Sequence, residues 1–289
     1  MNFITSILEQ GLIYGILALG IYITYKILDF PDLTVDGSFP LGAAITAALL
    51  TRGMNPYITL ILSFLAGAVA GICTGLIHVK CKVRDLLSGI IMMTALWTIN
   101  LRLAGTANVP IFGEDSIFDN AAVNGIFQGG ASSYNVLIIA VVSKVLLDLY
   151  MKTKSGFLLR AVGDNEVLVT SLAKDEGNVK ILGLAIANGL VSLAGSIFCQ
   201  EQRVFEISSG TGAIVIGLAS VIIGTSLFKN FSFLKTTTAV LIGSIIYKAC
   251  VAAALKFFEP QDMKLITAVL FLLILVIGRD RKKKVKKNA

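Results

Sequence analysis

Several residues in this chain have the type and spacing to do chemistry. Lys248 lies inside the apolar run 236–256, where an ammonium needs a buried partner, a water-filled cavity or a tilted helix. Lys144 and Asp148 are four apart in another apolar run and are spaced to pair on one helical face. Both stand near the end of that run, where long side chains snorkel to the interface. Trp97, Asn100, Asn188 and Lys248 are candidates for lining a pathway. An aromatic platform and two amides suit an organic solute with hydrogen-bonding groups, and helix–helix hydrogen bonding or interface anchoring accounts for them equally well. The remaining types argue against covalent work. His78 is the only histidine and ends an apolar run beside Lys80, and Cys73, Cys81, Cys199 and Cys250 show no CxxC pairing. No GxxxxGK[ST] phosphate loop occurs anywhere. No catalytic residue, metal site or enzymatic activity is expected.

The elements that hold these residues follow from hydropathy. Apolar residues make up 55% of 289 positions and the mean hydropathy is +0.82. Apolar runs occur at 5–26, 37–51, 57–78, 86–103, 134–151, 179–199, 212–228, 236–256 and 263–278. A hydrocarbon core about 30 Å thick takes about 20 apolar residues per helix, and unpaired backbone is not tolerated in lipid. The expectation is an all-α, polytopic membrane helical bundle of about nine spans, within about eight to ten. It forms one domain over 1–289, with a polar loop at 152–178 and a basic tail at 279–289. The second run is short, with Pro40 near its start, and reads as a broken or partly inserted helix. With no Lys or Arg before Lys26, the first run lacks the basic start of a cleaved signal and is expected to be retained.

Glycines at Gly67, Gly71 and Gly75, and again at Gly11 and Gly15, leave helix faces bare for close packing. The stretch from Gly37 through Gly42 to Ala44 echoes Gly212, Gly217 and Ala219. The two stretches open runs five apart, the spacing of an inverted repeat.

Basic residues are distributed asymmetrically. Lys80, Lys82 and Arg84, then Lys152, Lys154, Arg160 and Lys174, then Lys229 and Lys235, all fall in alternate loops. The tail adds Arg279, Arg281, Lys282, Lys283, Lys284, Lys286 and Lys287, whereas 103–133 has no Lys or Arg but contains Glu114, Asp115 and Asp119. The positive-inside rule puts the basic loops and the C-terminus in the cytoplasm and the N-terminus outside, in a multi-pass protein of the cell membrane. The tail reads as an anchor to anionic lipid, and no basic-aromatic surface suggests nucleic acid.

Within 152–178, Asp164 or Asn165 is suited to cap a helix. Val167, Leu168, Ser171 and Leu172 would then share one face, with Gly177 as a stop. Such a helix could lie along the membrane or dock on a soluble partner. The pattern Thr153-x-x-Gly156-x-x-x-Arg160-Ala-x-Gly163-x-Asn165 resembles the cytoplasmic loop of bacterial ABC-importer permeases of the branched-chain amino acid and ribose type. Gly89 to Arg102, Ala194-Gly195 and Gly217 to Gly224 agree with it, so the resemblance covers about 10–278. Leu33 to Gly42 is similar to the tryptophan/tyrosine-type subgroup, and Asp29-Phe-Pro-Asp departs from the branched-chain type.

This resemblance implies a permease subunit that passes a small solute, an amino acid of the aromatic kind, by alternating access. Its loop would couple to an ATPase through Gly156, Arg160, Gly163, Asp164, Asn165, Glu166, Leu168 and Leu172. The implied partners are two copies of an ATP-binding subunit, an extracytoplasmic solute-binding protein, a second permease copy and membrane lipid. ATP and Mg would bind to the ATPase, leaving this chain without a cofactor. The alternative is a self-sufficient secondary transporter or channel that uses Lys248 or Asp36 for ion coupling.

The orientation is open to a direct test. In a cysteine-free variant, single cysteines at Lys82, Ser155 and Lys284 should resist membrane-impermeant thiol reagents in whole cells, and one at Asp115 should react. Labelling at 155 from outside would reverse the orientation.

Overall fold

The structure is a computed structural model that describes residues 3–118, 131–164, 176–229, 231, 234–256, 262, 265–272, 274 and 276. Helix α1 (Phe3–Ile21) runs on through a π-helical turn (Tyr22–Ile27). The order is then α2 (Val35–Leu50), α3 (Pro56–Val79), α4 (Asp85–Ala104), β1 (Asn108–Pro110) and α5 (Ala131–Tyr150), followed by α6 (Lys154–Asp164) and α7 (Glu176–Gln202). β2 (Val204–Glu206), a 3₁₀ turn (Ile207–Gly210), α8 (Ala213–Leu227) and α9 (Thr236–Ala254) follow, and the described residues from 265 to 276 are helical.

Among the described residues, six helices are long and apolar enough to cross a bilayer: Ile4–Ile27, Pro56–Val79, Asp85–Ala104, Glu176–Gln202, Ile207–Leu227 and Thr236–Ala254. Each falls on an expected run. The second run is a 16-residue helix carrying Pro40 inside it. Pro40 has no N–H to offer, so the Asp36 carbonyl lacks its intrahelical donor. The protein is thus a mostly helical, polytopic membrane bundle. β1 and β2 form one short antiparallel pair, Val109 opposite Phe205, that hydropathy does not reveal.

Helix α7 is the hub, packed by α3, α2 and α1, while α1 also packs on α9, α8 and α5. The expected glycine faces sit at these contacts. A Cβ on Gly71 would stand 2.2 Å from the Leu184 carbonyl of α7, and one on Gly11 would stand 2.9 Å from Ile245 Cα of α9. A hydroxyl seam completes the α2–α3–α7 contact. Ser192 Oγ donates to the Ser63 carbonyl at 2.7 Å, Ser63 Oγ donates to the Gly42 carbonyl at 3.1 Å, and Thr46 and Ser196 hydroxyls meet at 2.5 Å. Because lipid is as apolar as Leu, such close approach and interhelical bonding hold the bundle together.

The 152–178 loop differs from expectation. Its described helix is α6, which contains Asp164 rather than being capped by it at its start. Asn165, Glu166, Leu168 and Leu172, and with them the amphipathic helix expected after Asp164, lie outside the described residues. Gly177 does not stop a helix. It lies buried in the first turn of α7. Gly156 and Gly163, expected in the coupling set, serve as close-approach points within α6. A Cβ on Gly163 would stand 1.7 Å from the Ile27 carbonyl.

Packing this tight makes a sharp contrast. Gly42→Ala places a methyl 1.8 Å from the Ser192 carbonyl, whereas Gly113 faces open space. In thermal melts of the purified protein, Gly42→Ala should lower stability by about 1–3 kcal/mol, with Gly113→Ala unchanged.

Candidate functional site

The polar residues inside the bundle converge on the first turn of α2. Asp32 precedes it in the 28–34 connection and is 2% exposed. Its Oδ1 accepts from the Thr34 amide at 2.9 Å and its Oδ2 accepts from Asn188 Nδ2 at 2.7 Å. Asn188 Nδ2 also donates to the Leu184 carbonyl, and Asn188 Oδ1 accepts from Ser38 Oγ at 2.8 Å. Thr34 and Thr74 hydroxyls meet at 2.9 Å, which ties α3 to the same point. From the other side Asn100 Nδ2 donates to the Gly37 carbonyl at 3.1 Å. Asn100 and Asn188 are therefore brought together, about the start of α2, and both are fully buried.

Asp36, in the first turn of α2, caps another helix. Its Oδ2 accepts from the Gly212 amide at 3.1 Å and its Oδ1 from the Ile214 amide at 2.9 Å. Two orphan donors at the start of α8 are satisfied by a carboxylate, which also suits the positive end of the helix dipole. Gly212 has φ +86°, a conformation that favours glycine, and lets the chain turn from the 3₁₀ segment into α8. Gly210 packs where a Cβ would stand 2.2 Å from the Asp36 carbonyl. The N-termini of the two short helices thus meet inside the bundle, tied by one side chain.

Trp97 and Lys248 lie elsewhere. Trp97 is 46% exposed on α4, in line with Ile90 two turns earlier, whereas Asn100 is buried. Lys248 is buried on α9, its Nζ 3.6 Å from the centroid of the Tyr14 ring. Tyr14 in turn stacks on Phe39 and meets Phe198 edge-on. The expected Lys144–Asp148 pair forms at 2.8 Å. Asp148 also takes Lys235 at 3.1 Å and the Thr237 hydroxyl at 2.6 Å, so it fastens α5 to the start of α9.

In the loop, α6 has two faces. Leu159 and Val162 are fully buried, Gly156 packs on Tyr150, and Gly163 abuts the end of the π-helical turn. Phe157, 61% exposed, and Arg160 point away from the bundle. Asp32, Ser38, Thr34 and Thr74 escaped the sequence reading. Two carboxylates four apart between apolar runs, Asp32 and Asp36, were the available signal. Among the described residues no cluster of His, Cys, Asp or Glu could hold a metal ion.

A bundle of apolar helices with a hydrogen-bonded polar interior defines a multi-pass membrane protein of the transport kind. The chain belongs to the family described as branched-chain amino acid transport system / permease component, which matches residues 3–277. It is 44% identical to the tyrosine transport system permease protein of Clostridioides difficile over 96% of this chain and 92% of that protein. It is 31% identical to a Rickettsia prowazekii protein over 97% and 99% of the two chains. At 25% identity it matches a ribose import permease of Escherichia coli K12 over 85% of this chain and 75% of that one. No solved structure matches. The chain is therefore the permease component of an ABC-type transport system and not an enzyme, and nucleotide is bound by a separate ATPase.

The cap on α8 can be tested by exchange. Asp36→Ala strands two amides inside the bundle and should cost about 1–3 kcal/mol, with faster hydrogen exchange at Gly212 and Ile214. Asp36→Asn keeps an acceptor but loses the charge, and should fall between the wild type and Asp36→Ala.

Proposed function

We propose that this chain is the membrane-spanning subunit of an ATP-driven importer that passes an amino acid, of the aromatic class, by alternating access. The observation that carries the reading is α6, which has one face locked to the bundle and one face bare. A partner pressing on Phe157 and Arg160 would bear, through Leu159, Val162 and Gly163, on the end of α1 and on α7. The turn it would push is π-helical, a geometry common at functional sites. From there the Asp32–Asn188–Ser38 chain leads to the start of α2, and Asp36 leads on to α8. A load at the loop would so reach both short helices.

The full assembly in this reading is a homodimer of permeases with two ATP-binding subunits on the 152–178 loops and a solute-binding protein on the outer face. The similarity to a tyrosine permease and the Leu33–Gly42 stretch support an aromatic amino acid. Nine spans, with the N-terminus outside and the C-terminus in the cytoplasm, fit the basic loops. The helix pairing supports an inverted repeat: α3 packs on α7 as α9 packs on α1, and α2 packs on α3 as α8 packs on α9. The rival, an ion-coupled secondary transporter, loses one of its two carriers, because both Asp36 oxygens already serve backbone amides.

Arg160→Ala is the discriminating variant, since Arg160 is exposed while Gly163 is packed against Ile27 and cannot change without disturbing the fold. The variant should fold and reach the membrane. Losing a charge-assisted contact should weaken ATPase co-purification about tenfold, or uncouple hydrolysis from uptake in reconstituted vesicles. Wild-type uptake driven by an ion gradient without ATP would sink the importer reading.

A further inference from the structure

Lys248 has a setting that packing does not explain. An ammonium removed from water is costly unless it is paired and hydrogen-bonded. Lys248 is 6% exposed, and among the described residues it makes no ion pair and no hydrogen bond. Its close contact is the face of Tyr14, held in place by Phe39 and Phe198. A cation over an aromatic face recovers only part of what hydration supplied.

The Lys248 side chain also lines a crevice. A crevice of about 110 Å³ lies between α1 and α9, lined by Ser6, Ile7 and Gln10 on one side and Lys248, Val251, Ala252 and Leu255 on the other. The α9 residues follow i, i+3, i+4, i+7 spacing, so one helix face forms the wall. Four of the seven lining residues are apolar; the other three, Ser6, Gln10 and Lys248, carry groups able to donate to an anion, and among the described residues no carboxylate lines it. The Glu201 carboxyl stands nearby, at the end of α7, where it hydrogen-bonds Gln10 and interacts through space with Lys248.

The crevice is at the end of the bundle away from α6. α1 enters there and reaches α6 only at Ile27, α7 runs from the loop to Gln202, and α9 runs away from Lys235, which is paired to Asp148 at the loop end of α5.

Resting on the importer reading, we propose that this crevice is a head-group subsite for the permeating amino acid. Lys248 Nζ, with Ser6 and Gln10, receives the carboxylate, and the Glu201 side faces the ammonium. The crevice has room for the head group, while an aromatic side chain would extend through its open side.

The test is equilibrium binding of radiolabelled L-tyrosine to the purified permease–ATPase complex without the solute-binding protein. Competitors are tyramine, which lacks the carboxylate, and 3-(4-hydroxyphenyl)propionate, which lacks the ammonium. L-Tyrosine should bind, tyramine should fail to compete, and the propionate should compete with intermediate strength. Lys248→Met keeps the aliphatic stem and should weaken binding by at least about tenfold, with Lys248→Arg close to wild type. ATPase co-purification of each variant checks assembly, and the competition series needs only the wild type. Tyramine competing as well as L-tyrosine, unchanged binding by an assembled Lys248→Met, or no wild-type binding up to the solubility limit of L-tyrosine would each overturn the subsite. ATP-driven uptake of ribose but not of tyrosine would instead defeat the amino-acid reading itself.

Discussion

A helix that begins inside a low-dielectric bundle must find partners there for its first amides, because no water is at hand to take them. Helix α2 begins in that way, at the buried Thr34 and Val35, and α8 begins against it at mostly half-buried positions. Asp36 is the link: it belongs to the first turn of α2 and accepts from two amides of α8. Unpaired, a carboxylate at such a depth is expensive. Bound to two amides at the positive end of a helix, it is stabilised, and it fixes the two short helices against each other. Pro40 and Gly212 serve the same junction, one by interrupting the backbone ladder of α2 and the other by turning the chain into α8.

The second organising constraint is contact with α7. Helices α1, α2 and α3 come close to it because glycines remove the side chains that would hold them apart, and serine and threonine hydroxyls then bond across the gap. Interfaces of this kind have few ways to relax. A displacement of α6 against Ile27, or of α7 near Gly183, cannot be absorbed locally and is passed to the neighbouring helix.

Charge is used differently at the two ends. At the loop end Asp148 collects two lysines and a hydroxyl, joining α5 to α9 at partly exposed positions where such pairs add orientation more than stability. At the far end Lys248 is buried over an aromatic ring and lines a largely apolar crevice with Ser6 and Gln10. The first arrangement is an ion-paired cluster, and the second is a lysine whose close contact is an aromatic ring.

Much of the architecture was legible in the residues alone. Lengths and hydropathy of the runs give the helices to within a few residues, because backbone satisfaction in lipid leaves no other structure for them. The spacing of Gly67, Gly71 and Gly75 marks a packing face, and Lys144 with Asp148 marks a pair, because both depend only on helical periodicity. What periodicity does not carry was decided in three dimensions. Gly156 and Gly163 show their role once α6 is laid on Tyr150 and Ile27, where a Cβ would stand 2.4 Å and 1.7 Å from backbone carbonyl oxygens. Asn100 and Asn188 look like a pair with Trp97 until the rotation of α4 turns the indole outward and the amide inward. Asp32 and Asp36 show no partner in sequence, since those partners are an amide on α7 and the first amides of α8, more than 150 residues away. Sequence determined which segments are helices and where small residues allow them to touch. Tertiary structure decided which polar groups meet, because hydrogen bonds between distant segments depend on helix rotation and depth, and local spacing sets neither.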